Sequence, residues 1–316
     1  MSAGVAATAD VVASRESPEA ANRYWTQARM RAARPVPVPR TSSAGVAAPG
    51  GPSGPGADGL GAVSAPGTAP STAPFLAGAA GSAQAGRDSE VWTSHGVMPA
   101  RTVGKLFFRT PRGDSSCTAT VITAPNRRTI WTAGHCVADG EGTWYSLFRF
   151  HPDRLNGASP YGAWDWRVAA APRGWTTARN HGYDLAAIAL APVSGRGVAD
   201  LVGSQGYRFG GPYKQDVHVF GYPGELRSPL RKVNSELLRY CTGETWKIGT
   251  LRTHLGVSCN MGRGSSGGPW LADLQLARGW GYLVGNVSTG ASDVYAMRSP
   301  HLGDAAINVY NLVKDR

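Results

Sequence analysis

Met261-Gly262-Arg263-Gly264-Ser265-Ser266-Gly267-Gly268-Pro269-Trp270 is the stretch whose reading decides the fold. A serine hydroxyl attacks poorly until a base takes its proton and donors stabilise the oxyanion that forms. Glycines beside a serine let the backbone turn tightly and aim amide N–H groups at one point, since no Cβ obstructs them. Ser266 is thus a candidate nucleophile, with the N–H groups of Gly264 and Ser266 as candidate oxyanion donors. A plain Gly/Ser turn between strands is the competing reading. Gly264-Ser265-Ser266-Gly267-Gly268 also fits G-x-S-x-G, the nucleophile elbow of an α/β sheet. An elbow requires a helix next, then an acid and a histidine downstream. The residues after Trp270 instead read as strand, turn and one short terminal helix, which favours an all-β chain.

Three further motifs lie on either side. Upstream stand Cys117-Thr118-Ala119-Thr120-Val121-Ile122 and Trp131-Thr132-Ala133-Gly134-His135-Cys136, then His181-Gly182-Tyr183-Asp184-Leu185-Ala186 leading an apolar run to Leu190. Downstream lies Leu283-Val284-Gly285-Asn286-Val287-Ser288-Thr289-Gly290. In this order they closely resemble the histidine region, aspartate strand, nucleophile loop and substrate-pairing strand of chymotrypsin-like serine peptidases. The bacterial secreted type, with general similarity to glutamyl endopeptidases, is the nearest resemblance.

That resemblance implies His135 as general base, Asp184 orienting it and Ser266 as nucleophile. Asp165 competes with Asp184 but lies between aromatics, whereas Asp184 opens an apolar strand. Ser288 resembles the serine that hydrogen-bonds the catalytic aspartate. Asn260, Met261, Val287, Ser288, Thr289 and Gly290 match positions lining the primary specificity pocket. Asn260 stands where trypsin-type members carry aspartate, and Val287 where glutamyl endopeptidases carry histidine, so neither preference is implied. Animal members bind a freed N-terminus with an aspartate where this chain has Ser265, which cannot form that ion pair. Polypeptide is the implied substrate, with no cofactor. An inactive binding protein on the same fold and an esterase using the same triad are the rival functions.

Composition narrows the rest. The chain has 316 residues, 42% of them hydrophobic, and a formal net charge of +11. Residues 1–90 carry 7 Arg against 6 acidic groups, so the excess belongs to the remainder, with 25 basic against 15 acidic. The basic residues are dispersed and no nucleic-acid motif accompanies them, so no nucleic-acid partner is expected. No apolar run reaches the ~18 residues of a membrane span, and a monomer is expected. Four cysteines allow three pairings. Local pairing, Cys117 with Cys136 and Cys241 with Cys259, is expected; the first pair matches a bridge of the resembled family. Without C-x-x-C or H-E-x-x-H spacing, no metal is expected. Disulfides imply an oxidising compartment, hence secretion, although Met1–Ser14 lacks the charged start and continuous apolar core of a secretion signal.

In chain order, residues 1–40 read as a pro-segment with one helix, started by Ser17-Pro18-Glu19 and ended before Pro35. Residues 41–90 are Ala, Gly, Pro and Ser with almost no large apolar side chain, and read as a flexible linker. Residues 91–316 read as the peptidase domain, with short apolar runs punctuated by Gly, Pro and Asn. The expected fold class is all-β, two antiparallel Greek-key barrels with the active site in the cleft between them and a disordered N-terminal extension. The barrels are expected at about 97–203 and 206–300, with a closing helix over 302–314 whose Ile307, Tyr310 and Val313 face the barrel.

Overall fold

The computed structural model describes residues 8–37, 40–41, 62–67, 86–248, 254–291 and 295–316. The first barrel is made of β1 (Val103–Thr110), β2 (Gly113–Val121), β3 (Thr129–Thr132), β4 (Ser146–Pro152), β5 (Trp164–Pro172) and β6 (Ala186–Leu190). Their order is 5-6-3-2-1-4, and β4 pairs back onto β5, closing an antiparallel Greek key. Closure explains the composition. Strands such as β6 (AAIAL) are buried along their whole length, so they carry continuous apolar runs rather than alternation. Small residues in β5 and β6 pack beside Phe148, Phe150, Trp164 and Trp166 in one core.

The second barrel is built from two sheets. One contains Asp216–Gly221 between Arg239–Glu244 and Pro269–Gln275, with Trp280–Asn286 beyond; the other pairs His254–Ser258 with Ala296–Pro300. Val217, Val257, Trp270 and Met297 fill the space between them, and Cys241–Cys259 ties one sheet to the other. Cys117–Cys136 links β2 to the turn after β3. Loops of this size correspond to ~3 kcal/mol each in the chain-entropy picture.

A terminal helix, Asp304–Val313, closes the molecule. It buries Ala306, Val309, Tyr310 and Val313, while Ile307 is only partly covered. The buried stripe is therefore rotated slightly from the one expected, with Tyr310 packed at a tilt against Tyr207.

The N-terminal part is attached to the first barrel. Ala9–Ala13 adds to the edge of β5, register Ala9 opposite Pro172. The single helix expected here is two: Pro18–Tyr24, capped by Ser17, and Gln27–Ala32, capped by Thr26. The break at Trp25 lets its ring turn inward against Phe107, with Nε1 donating to the Leu147 carbonyl at 2.6 Å. Met30 and Ala33 join that cluster. The linker expected over 41–90 lies mostly outside the described residues. Of its described parts, Val63–Ser64 pairs with Gly206–Arg208 and Glu90–Val91 with Arg239–Glu244.

Trp25→Ala should loosen this attachment, since deleting a buried Trp typically costs about 3–5 kcal/mol. Limited proteolysis read by mass spectrometry should show residues 8–37 cut much faster while β1–β6 stay intact. Equal cutting rates in the two proteins would show that Trp25 does not hold the segment.

Candidate active site

The turn after β3 places His135. Its residues Gly134–Cys136 form one 3-10 turn. A Cβ on Gly134 would stand 2.7 Å from the Trp175 ring and 3.1 Å from Asp184 Oδ1, so only glycine fits. The closeness of this approach lets Asp184 accept twice from His135: the backbone N–H reaches Oδ1 at 2.7 Å, and Nδ1–H reaches Oδ2 at 2.8 Å. Asp184 lies just before β6 and is fully buried. From the second barrel, Ser288 donates its hydroxyl to the same Oδ2 at 2.5 Å. Burial pushes the Asp184 carboxyl up, but the His135 charge and the bonds from His135 and Ser288 outweigh it and hold it below the ordinary value.

The loop around Ser266 is seated on the first barrel. Thr118 N–H donates to the Ser266 carbonyl at 2.8 Å, and Thr118 Oγ1 donates to the Gly264 carbonyl at 2.9 Å. Gly267 packs so near Thr132 and Ala133 that no Cβ would fit there. This brings Ser266 beside the strand that ends in His135. Gly264 sits at φ +93, which frees its N–H to point into the cleft. Ser265 Oγ donates to the Gly262 carbonyl at 2.6 Å, closing the loop on itself. Ser266 Oγ and His135 Nε2 are both buried, and neither has a hydrogen-bond partner among the described residues.

The residues matched to the specificity pocket are used in several ways. Asn260 accepts from Ser89 N–H at 2.9 Å and donates to Asp88 Oδ1 and the Ser228 carbonyl, both at 3.1 Å. Met261 and Val287 belong to the second-barrel core. Thr289 and Gly290 open the short strand Thr289–Ala291, and the Arg227 guanidinium lies over Gly290 while Nη1 donates to the Ala296 carbonyl at 3.1 Å.

Four site residues escape the sequence reading. They are Thr118, Trp175, Arg227 and Asn286, whose Nδ2 donates to the Asp184 carbonyl and whose Oδ1 accepts from Trp131 Nε1. Thr118 and Asn286 lie inside the quoted motifs, so their position was visible, but their partners are more than 100 residues away.

The sequence model of the trypsin-like peptidase domain matches residues 117–277, just over half of the chain. The chain belongs to the trypsin-like peptidase family. Among solved structures, it is similar to the protease Anisep of Arthrobacter nicotinovorans, at 33% identity and TM-score 0.64, covering 72% of this chain and all of that one. It is also similar to AL20, a thermostable serine protease from an extremophilic microorganism, at 30% identity and TM-score 0.62, covering 68% and 97%. A Glu endopeptidase shares the fold at 21% identity and TM-score 0.58, covering 74% and 100%.

A Bacillus subtilis protein named "Extracellular metalloprotease" is 30% identical over 158 residues, 46% of this chain and 48% of that one. The chain thus spans about half the length of that curated relative. Its name raises the matter of a metal. The grouping of metal-type side chains among the described residues is Cys117, His135 and Cys136. It does not fit an ion: both sulfurs are spent in the disulfide, and a metal needs thiolates.

Buried and half-buried imidazoles give this peptidase a pH signature. Burial lowers the pKa of His151, His181, His254 and His301; for His254, burial and then the charges of Arg298 and His181 bring it to about 4. The folded chain keeps these rings neutral, whereas the unfolded chain protonates them below the ordinary His value of about 6.5. Stability is therefore complete above that value and declines as the pH falls, for His254 until about 4, with a slope for any one ring of at most about 1.4 kcal/mol per unit. Asp184, held below its ordinary value by the fold, contributes stability that is present above that value, about 4, and adds to the decline only as the pH approaches and passes it. Melting temperatures from about pH 7.5 to about pH 4.5 should drop, and His254→Gln should drop less steeply. Superimposable curves for the two proteins would remove His254 from this account.

Proposed function

We propose that the chain is a secreted serine endopeptidase that hydrolyses polypeptides through an acyl-enzyme on Ser266. The observation that carries this reading is the shared carboxylate: Asp184 Oδ2 takes both His135 Nδ1–H and the Ser288 hydroxyl. With Nδ1 protonated and held by Asp184, Nε2 is the basic nitrogen, and it accepts the Ser266 proton as Oγ attacks the scissile carbonyl carbon. The carbonyl oxygen becomes an oxyanion, stabilised by the N–H groups of Gly264 and Ser266. As the intermediate collapses, the C–N bond breaks and His135 gives its proton to the departing amine. A water, deprotonated in turn by Nε2, attacks the acyl-enzyme; the C–Oγ bond then breaks, releasing the acid and restoring the serine.

No step draws on a metal or organic cofactor. The two disulfides favour an oxidising, extracellular setting. Residues 91–316 would be the peptidase domain, with residues 1–40 a pro-segment.

Ser266→Ala and His135→Ala should each lower kcat/KM on a protein substrate by several orders of magnitude, and the double variant should lose little more than either alone. Initial rates on casein, with circular dichroism to check folding, measure this. If Ser265→Ala abolishes turnover while Ser266→Ala retains it, the nucleophile is misassigned.

A further inference from the structure

Building on the reading of Ser266 and Gly264 just given, we propose that the cleft has a resident partner. It is the chain's own N-terminal part, whose described residues Arg34–Val36 and Arg40–Thr41 lie against the walls of the cleft and act as an inhibitor until they are displaced. The Gly264 N–H, assigned to the oxyanion, donates to the Val36 carbonyl at 3.0 Å. On one side, Arg34–Pro35 runs parallel to Ser115–Ser116, and Val36 N–H donates to the Ser116 carbonyl at 3.0 Å. The next residue is Cys117, bonded to Cys136 beside His135. On the other side, Arg40–Thr41 runs parallel to Gly290–Ala291, continuing the strand whose Ser288 holds Asp184. Arg34–Val36 therefore meet the first-barrel wall and an oxyanion donor, and Arg40–Thr41 meet the second-barrel wall. Pro35 also stands over the loop: a Cβ on Gly264 would be 3.0 Å from Pro35 Cβ, and one on Gly224 would be 2.8 Å from Pro35 Cγ.

The sequence Arg34-Pro35-Val36-Pro37-Val38-Pro39-Arg40 suits an inhibitor better than a substrate. Prolines at every second position fix φ and favour an extended chain, so little conformational freedom remains to be lost on docking. The carbonyl held by Gly264 belongs to the Val36–Pro37 bond. There the ring Cδ of proline replaces the amide hydrogen and crowds the preceding residue, which hinders close attack by Oγ. Ser266 Oγ is not hydrogen-bonded to the Val36 carbonyl or to His135. Upstream, Ala9–Ala13 on β5 and Trp25 on Phe107 keep the segment tethered next to the cleft, which raises its effective concentration there.

The test is the rate at which a fluorophosphonate labels Ser266, with Ser266→Ala as the blank. Three proteins are compared: the full chain; the full chain carrying Val36→Asp; and a full chain with an inserted protease site between residues 45 and 55, cut after folding and diluted. The full chain should label slowly and the other two faster, by about tenfold or more, the change expected from losing ~1.4 kcal/mol of docking. A synthetic peptide of residues 33–41 should slow the cut protein again. The cut protein decides the matter if Val36→Asp does not fold. A full chain that labels as fast as the cut protein overturns the inhibitor and leaves Ser266 as nucleophile. Absence of labelling in all three overturns the reading of Ser266, and this proposal with it.

Discussion

A carboxylate with no exposed surface is costly unless every oxygen is paired, and the geometry of this molecule turns on how Asp184 is paired. Three donors converge on it: two from His135 on the first barrel, one from Ser288 on the second. Asn286, also of the second barrel, holds the backbone carbonyl of the same residue. The charge therefore fixes the two barrels relative to each other as well as the imidazole. Removing one donor leaves a buried charge short of a partner, which is far worse than removing an exposed ion pair such as Arg179–Glu141.

The same economy of contacts explains why so much of the loop around Ser266 is glycine. The loop must pass close to Tyr222, Thr132 and Ala133 while presenting N–H groups to the cleft. Thr118 supplies the registration that glycines cannot. Its hydroxyl donates to Gly264 and accepts from the Tyr222 N–H, and its own N–H holds Ser266. A single side chain on β2 thus sets the height of Ser266 above the first barrel.

How much of this was legible in the sequence differs by range. His135, Asp184 and Ser266 sit in motifs whose local spacing is informative, since each needs a specific turn or strand start to be presented. The all-β fold was legible for a similar reason: short, fully apolar runs between turn residues leave little room for helix. Thr118 and Asn286 were not, because their meaning depends on partners brought near only by the fold. Asn260 is a further case. Its position matches the pocket lining, and its amide also bonds Asp88, Ser89 and Ser228, partners that nothing in residues 258–262 foretells. The extension is a mixed case. Ser17-Pro18-Glu19 was visible as a helix start, yet Phe107, the surface that Trp25 and Met30 cover, is far along the chain.

Ser265 bears on how such a site is controlled. In animal members, an aspartate at this place pairs with a freed N-terminus, so cutting the chain assembles the loop. Here the Ser265 hydroxyl and N–H both close on the Gly262 carbonyl, three residues back. That bond is local and needs no new terminus. The loop is accordingly shaped while residues 8–37 are still attached to the first barrel, and the Gly264 N–H is already directed into the cleft, where Val36 meets it. With the loop formed in advance, assembly is no longer the step at which activity can be withheld. What remains to be regulated is access. Under the proposal above, Arg34–Val36 would restrict access at little entropic cost, because the loop around Ser266 is already formed with Val36 bonded to it.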